Sequence, residues 1–263
     1  MKNLVLEKFN QNKKSVGTFL HSGSSIMVES LGYTDIDYVV IDMEHTPIDT
    51  GEIEKLIVTA RVSETAPFVR VSDSSRGPIL KLLDAGAEGI IVPNIETVEQ
   101  VHKLVEYAKY SPVGNRGFAP GRAAGWGNAP SFSGGIESYM EICNRETLLI
   151  PQCETVGCLE NIEAIVAIDG VDGIMIGPFD LSIAMGKPAQ FDDLEIKGAI
   201  DKVLNACKAA SKMCIIFAGN PESASHYLAK GFDSVIVGTD NTVLIKAYQD
   251  LLSNILIEQV VDQ

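Results

Sequence analysis

The chain has 263 residues, 46% of them hydrophobic, enough to bury a large core as one big domain or two small ones. Its formal net charge of −14 and pI of about 4.7 describe a surface that repels phosphate backbones, so nucleic acid is not an expected partner. No run of 18 apolar residues exists, so no membrane span is expected.

The first residues, MKNLVLEKFNQNKK, lack the apolar core of a signal peptide and read as an amphipathic helix. Short apolar runs then recur: SVGTFL (15–20), YVVID (38–42), PFVRV (67–71), GIIVP (89–93), LLIPQCE (148–154), GIMIG (173–177), MCIIFA (213–218) and SVIVG (234–238). Several are continuous rather than alternating, which suits parallel strands covered on both faces. Between them lie helical periods, as in GPILKLLDAGAE, VEQVHKLVEYAK and KGAIDKVLNACKAAS, and PESASHYLAKG closes on Gly231, a natural position after a helix end. Strand then helix, eight times, predicts an α/β fold of the (β/α)₈ TIM-barrel type, one domain over 1–263. An open doubly wound sheet is the alternative, but no GxGxxG follows the first strand and no GxxxxGK is present.

One spacing is irregular. Nearly sixty residues separate the starts of the fourth and fifth strands, and they include the loop 111–135, rich in Gly, Ala, Pro and Ser and carrying the only Trp, Trp126. Such loops are commonly functional. This one is expected over the barrel mouth, with a subunit-contact loop as the other reading. The five cysteines, Cys143, Cys153, Cys158, Cys207 and Cys214, are an odd count without metal-site spacing, as expected of reduced thiols in a cytoplasmic protein.

In barrels of this type the reactive residues sit where strands end. Those ends carry Asp42, Glu44 and His45; Arg70; Asn94; Gln152 and Glu154; Asp180; and Asp240. Gln152 and Glu154 are two apart and share a face, and Asp180 follows one βα unit later on what should be the neighbouring strand. Two carboxylates beside an amide make an oxygen-rich half-shell for Mg²⁺ or Mn²⁺; a pair of exposed loop acids is the plain alternative. In IGPFDLS the backbone N–H groups of Phe179 and Asp180 could face an anion, unless Asp180 is simply a helix cap. Arg70, inside an apolar run, needs a partner: a substrate carboxylate or enolate, or a strand-end acid. His45, three residues after Asp42, fits a general base held by a carboxylate, or a structural histidine. His21 is near a strand end, and no lysine falls at one, which disfavours a Schiff base.

With these residues in place the chain resembles the HpcH/HpaI aldolase family of metal-dependent, pyruvate-class aldolases. The likeness runs through GTFLHSGSSIMVESLGYTDIDYVVIDMEHTP, FVRV, LLDAGAEGIIVPNIET, the P-x-G-x-R-G element at Pro112–Gly117, QCET, VDGIMIGPFDLSIAMG and IVGTDNTVL. It implies a TIM barrel with Glu154 and Asp180 as ligands of a divalent cation (Mg²⁺ or Mn²⁺, with Co²⁺ a further option). It implies His45 as catalytic base, with Asp84 of LLDAG raising its basicity from the same or a neighbouring subunit. Arg70 would stabilise the pyruvate enolate, while Gln152 and the backbone of Phe179 and Asp180 bind substrate. It also implies a hexamer whose subunits exchange their last helix. Phe179 and Met43 depart from the small residue and glycine common there.

The expected reaction is reversible cleavage of a 4-hydroxy-2-oxo acid into pyruvate and an aldehyde, with Asp42 and His45 in one proton relay. Two other readings stay open: a metal–enolate lyase acting on a 3-hydroxyacyl thioester, which would want a basic patch, and a barrel that binds a 2-oxo acid without turnover.

Overall fold

The computed structural model describes residues 2–261. In chain order its elements are Leu4–Asn10 (α1), Ser15–Leu20 (β1), Ser25–Leu31 (α2), Tyr38–Asp42 (β2), Thr50–Val62 (α3), Ala66–Arg70 (β3), Arg76–Ala85 (α4), Gly89–Val92 (β4) and Val98–Ala108 (α5). There follow Gly135–Glu146 (α6), Leu148–Cys153 (β5), Val156–Glu160 (α7), Ile162–Val166 (α8), Gly173–Ile176 (β6), Pro178–Ala184 (α9), Leu194–Ala209 (α10), Met213–Ala218 (β7), Pro221–Lys230 (α11), Ser234–Thr239 (β8) and Asp240–Val261 (α12). The eight strands are parallel, pair in sequence order and close between β8 and β1. This is the expected TIM barrel.

Why the runs become strands is visible in their two faces. Phe19, Tyr38, Val40, Phe68, Ile91, Ile150, Met175, Ile215 and Ile236 fill the interior. Their neighbours Val39, Ile41, Val69, Ile90, Leu149, Ile174 and Val235 face the helices. Period two thus buries both faces, at roughly 1.5–3 kcal/mol for each large apolar side chain. Local signals set the helix ends. Asp49 with Glu52, and Thr97 with Gln100, form capping boxes that open α3 and α5. Gly231 ends α11 at φ 111°, a conformation glycine takes without a Cβ clash.

The amphipathic N-terminus forms α1, and Val5, Leu6 and Phe9 plug the barrel where strands begin. Two parts differ from expectation or stand apart. The loop 111–135 leaves the end of α5, on the face where strands begin, and α6 carries the chain from the loop to the start of β5. It lies along the outer flank: Arg116 donates to Asp84 of α4 and Arg122 to Glu54 of α3, at 2.7 and 2.6 Å. It does not cover this barrel's own mouth: none of its residues lines the cavities at the strand ends. The second part is α12. It begins at the rim and stands away from the barrel, with Val243, Leu244, Ile245, Tyr248, Leu251, Leu252 and Ile255 all exposed. Between α2 and α11, over β1 and β8, an apolar groove of about 630 Å³ remains, lined by residues such as Met27, Leu31, Ala224, Leu228 and Val235.

Candidate active site

At the strand ends the inward face turns polar. Asp42 and Arg70 are register partners on β2 and β3. Arg70 Nε and Nη2 donate to the two carboxylate oxygens of Asp42, each at 2.8 Å. Its Nη1 lies 3.2 Å from Glu44 Oε2, and its guanidinium stacks over Phe19 at 4.6 Å. Burial pushes the Asp42 carboxyl up, but the bonds and charge of Arg70, the Glu44 N–H and His21 outweigh it, and the net shift is downward.

On the opposite wall Gln152 and Glu154 do share a face, and Gln152 Nε2 donates to Glu154 Oε2. The other oxygen, Oε1, accepts from Asn94 N at 2.7 Å. Gly177, the residue after β6, lies beneath this pair: a Cβ there would sit 3.0 Å from Glu154 Oε2 and 3.1 Å from Gln152 Nε2. The backbone then turns into α9, with Pro178 in its first turn and Asp180 on the rim. Glu154 is pushed up first by burial, with Glu44 and Asp180 adding to it. Glu44 is also raised, mainly by burial, with Asp42 and Asp180 adding while Arg70 and His45 pull down.

Two adjoining cavities meet here. One, of about 150 Å³, is lined by Phe19, His21, His45, Arg70, Gln152, Phe179, Asp180, Phe217 and Thr239 among others. The next, of about 390 Å³, is lined by Glu44, His45, Asn94, Glu154, Thr155, Asp180 and, at the end of α9, Ile183 and Ala184. Glu154, Asp180, His45, Arg70, Gln152 and Phe179 are therefore gathered at one mouth. A divalent cation fits this donor set. Three carboxylates, Glu44, Glu154 and Asp180, line the larger cavity, the charge of Asp180 adds to the upward shifts of Glu44 and Glu154, and the buried oxygen Gln152 Oε1 has no hydrogen-bond partner. Among the described residues no three His, Cys, Asp or Glu side chains form a ready cage.

One expected pairing is corrected, and another is not made within a single chain. Asp42 does not hold His45. As the last inward residue of β2 it is committed to Arg70, and its Oδ1 also accepts the Glu44 N–H at 3.0 Å, a tight turn that carries His45 out to the rim. His45 Nε2 lies 3.9 Å from Glu44 Oε2 instead. Asp84 does not reach His45 within one chain. It sits at the end of α4, near the face where strands begin, and pairs with Arg116. Asp240 accepts from the backbone N–H groups of His21 and Ser22 at 2.8 and 3.2 Å, tying the start of α12 to the β1 loop.

Three residues emerge that the sequence reading left at the margin. His21 Nε2 is 3.1 Å from Asp42 Oδ2. The signal was present: His21 is two residues after the inward Phe19, on the same face by period two. Glu44 belongs to the carboxylate cluster rather than to its surroundings. Asn94 contributes its backbone N–H to Glu154 and its side chain to Glu44 Oε1 at 3.0 Å.

This geometry agrees with comparison to known proteins. Residues 15–247 match the HpcH/HpaI aldolase/citrate lyase family. The chain belongs to that family. A hydroxypyruvate/pyruvate aldolase of Rhizorhabdus wittichii is 34% identical over 254 residues, covering 96% of this chain and 98% of that protein. A 2-keto-3-deoxy-L-rhamnonate aldolase of Klebsiella pneumoniae is 33% identical over 239 residues, covering 90% and 87%. The structure of an HpcH/HpaI aldolase/citrate lyase family protein from Burkholderia cenocepacia superposes with a TM-score of 0.89 at 28% identity, over 97% of this chain and 99% of that one. This HpcH/HpaI family member is thus an enzyme, an aldolase of the pyruvate class that acts on carbon–carbon bonds. Among the described residues no helix is long and apolar enough to cross a membrane.

Proposed function

We propose that the mouth binds a 4-hydroxy-2-oxo acid and cleaves it reversibly to pyruvate and an aldehyde, with Mg²⁺ or Mn²⁺ held by Glu154 and Asp180. The observation that carries this reading is the convergence of Glu44, Glu154 and Asp180 beside the unpaired Gln152 Oε1. When bound, the cation supplies Lewis-acid polarisation of the 2-oxo group and a counter-charge for the enolate. The α9 N–H groups of Phe179 and Asp180 and the Gln152 amide orient the carboxylate and keto end. His45, exposed on the rim, takes the proton of the 4-hydroxyl. The C3–C4 electron pair then passes to C3, the aldehyde departs, and the Arg70 guanidinium faces the enolate charge. Protonation of C3 completes pyruvate. Asp42 acts on Arg70 rather than on His45: it fixes the guanidinium in one orientation, so little reorganisation is needed as charge develops.

Two subunit features belong to the same proposal. Asp84, remote from its own mouth, meets the His45 of a neighbouring subunit. The exposed apolar side of α12 enters the groove between α2 and α11 of another copy, giving a homo-oligomer, hexameric by family resemblance.

The test is pyruvate release from a panel of 4-hydroxy-2-oxo acids by metal-stripped protein, with and without Mn²⁺, beside Glu154→Ala. Release restored by Mn²⁺ in the parent and not in the variant supports the assignment. Equal release without metal sinks it. Independently of turnover, Mn²⁺ at 100 times its Kd should stabilise the parent by about 2.7 kcal/mol and the variant far less.

A further inference from the structure

We propose that Asp240 is a positioning residue: it fixes the β1 loop so that the His21 ring rests against Asp42, and through Asp42 it keeps the Arg70 guanidinium aligned. This rests on the aldolase reading above, in which Arg70 faces the enolate charge.

Asp240 is a strand-end acid that the mechanism does not use. It is only 5% exposed, although it opens α12, whose apolar side chains stand in solvent. The pairing of β1 with β8 explains how it gets there. The two strands run in register from Ser15↔Ser234 to Gly17↔Ile236, and then Phe19 pairs with Thr239, so β8 advances three residues while β1 advances two. A bulge of this kind re-aims the residues beyond it. Gly238, at φ 60°, takes the left-handed turn that a Cβ would oppose, and the Thr18 hydroxyl donates to Val237 O at 3.0 Å across the step. The extra residue brings Asp240 level with the end of β1.

That end needs it. β1 stops at Leu20, so the N–H groups of His21 and Ser22 lie past the ladder and must be satisfied by other means. Asp240 Oδ1 accepts from His21 N at 2.8 Å, and Oδ2 accepts from Ser22 N at 3.2 Å. Bonds to a carboxylate are the strong class, and here two of them hold consecutive peptide units. They direct the His21 side chain, whose Nε2 lies 3.1 Å from Asp42 Oδ2. Phe19, which stacks on Arg70, is held within the strand itself; His21 is partly exposed, lines the mouth cavity and depends on the loop. Asp42 Oδ1 already serves Arg70 Nε and the Glu44 N–H, so the His21 ring closes the remaining side of the Oδ2 that Arg70 Nη2 grips. Removing the ring opens that oxygen to the cavity and gives the Asp42–Arg70 fork room to move. Thr239 adds a second tie. It lines the mouth, and its hydroxyl accepts from Thr242 N at 3.2 Å, capping α12. The root of α12 is thus built into the mouth.

The experiment measures kcat and KM with Mn²⁺, on the best substrate of the panel, for the parent, Asp240→Ala, Asp240→Asn, His21→Ala and the double variant Asp240→Ala with His21→Ala. Asp240→Ala should lower kcat and kcat/KM together by roughly tenfold to a hundredfold, the scale of a small displacement at a reacting centre. Asp240→Asn, which keeps one acceptor oxygen, should lose less. The double variant should be no slower than the slower single one, because both changes release the same ring. Every variant should keep the parent's mass by light scattering. Without turnover, the metal-free protein carries four histidines. In ¹⁵N spectra the ring signal absent from His21→Ala should shift or broaden in Asp240→Ala while the other three stay. Where Asp240→Ala does not fold, Asp240→Asn serves the same comparisons. If the parent is active but the single losses multiply in the double variant, or the His21 signal is unmoved, or activity falls only where the oligomer dissociates, the Asp240 assignment is overturned while the aldolase reading stands. If the parent cleaves none of the acids, the aldolase reading fails, and the His21 signal still decides whether Asp240 holds that ring.

Discussion

Asp42 and Arg70 occupy register-matched positions on neighbouring strands and meet inside the barrel in two parallel hydrogen bonds of 2.8 Å. The fork geometry, not the charge alone, places the guanidinium. Arg70→Lys should therefore keep the fold by circular dichroism and lose roughly 10²-fold in kcat. Asp42→Asn leaves a buried cation half-partnered and should cost roughly 3 kcal/mol in denaturant unfolding. A loss under about 1 kcal/mol would show that Glu44 alone holds Arg70. Because the Asp42 value is depressed, its stabilisation is complete above the ordinary 3.8 and disappears only as pH falls through the folded value.

Glu88, on the face where strands begin, makes the opposite prediction. It is 8% exposed, with Arg61 Nε 3.7 Å away. Burial pushes its carboxyl from 4.5 up to about 7, with Arg61 pulling down and Glu146 pushing up. A raised value stabilises the fold below 4.5, and that contribution is lost as pH rises to about 7, on the order of 3 kcal/mol over the window. Glu88→Gln should flatten the fall in Tm across this range. An unchanged slope would assign it to other groups.

Asp84 and His45 lie toward opposite faces of one barrel, so any cooperation between them is between subunits. Asp84→Ala and His45→Ala should each be nearly inactive. Co-refolded, they should regain activity, because mixed oligomers contain some mouths with both residues intact. No regain after mixing, with oligomers shown to exchange, confines Asp84 to its ion pair with Arg116.

The exposed row on α12 calls for a partner. Leu251→Asp combined with Leu252→Asp should convert the oligomer to a species near 28.3 kDa by light scattering, with a lower Tm. If the parent itself measures as a monomer, helix exchange is wrong.

The barrel was legible in the chain alone. Eight apolar runs with helical periods between them leave one economical way to bury both faces of each strand, and seven of the run starts match the strand starts, the third differing by one residue. The chain also shows which acids and which arginine sit at strand ends, because chain position and period two are local facts. Partnership was not local. His45 is three positions after Asp42, yet Asp42 spends both oxygens on Arg70, 28 residues away, since register across the sheet decides which inward side chains touch. His21, which follows β1, joined the site by the same route, because β1 lies between β2 and β8 in the closed sheet. The loop 111–135 looked like a lid by composition, and only the direction of α5, running back against the strands, put it on the flank. Periodicity fixes which way a side chain faces; closure of the sheet decides what it meets.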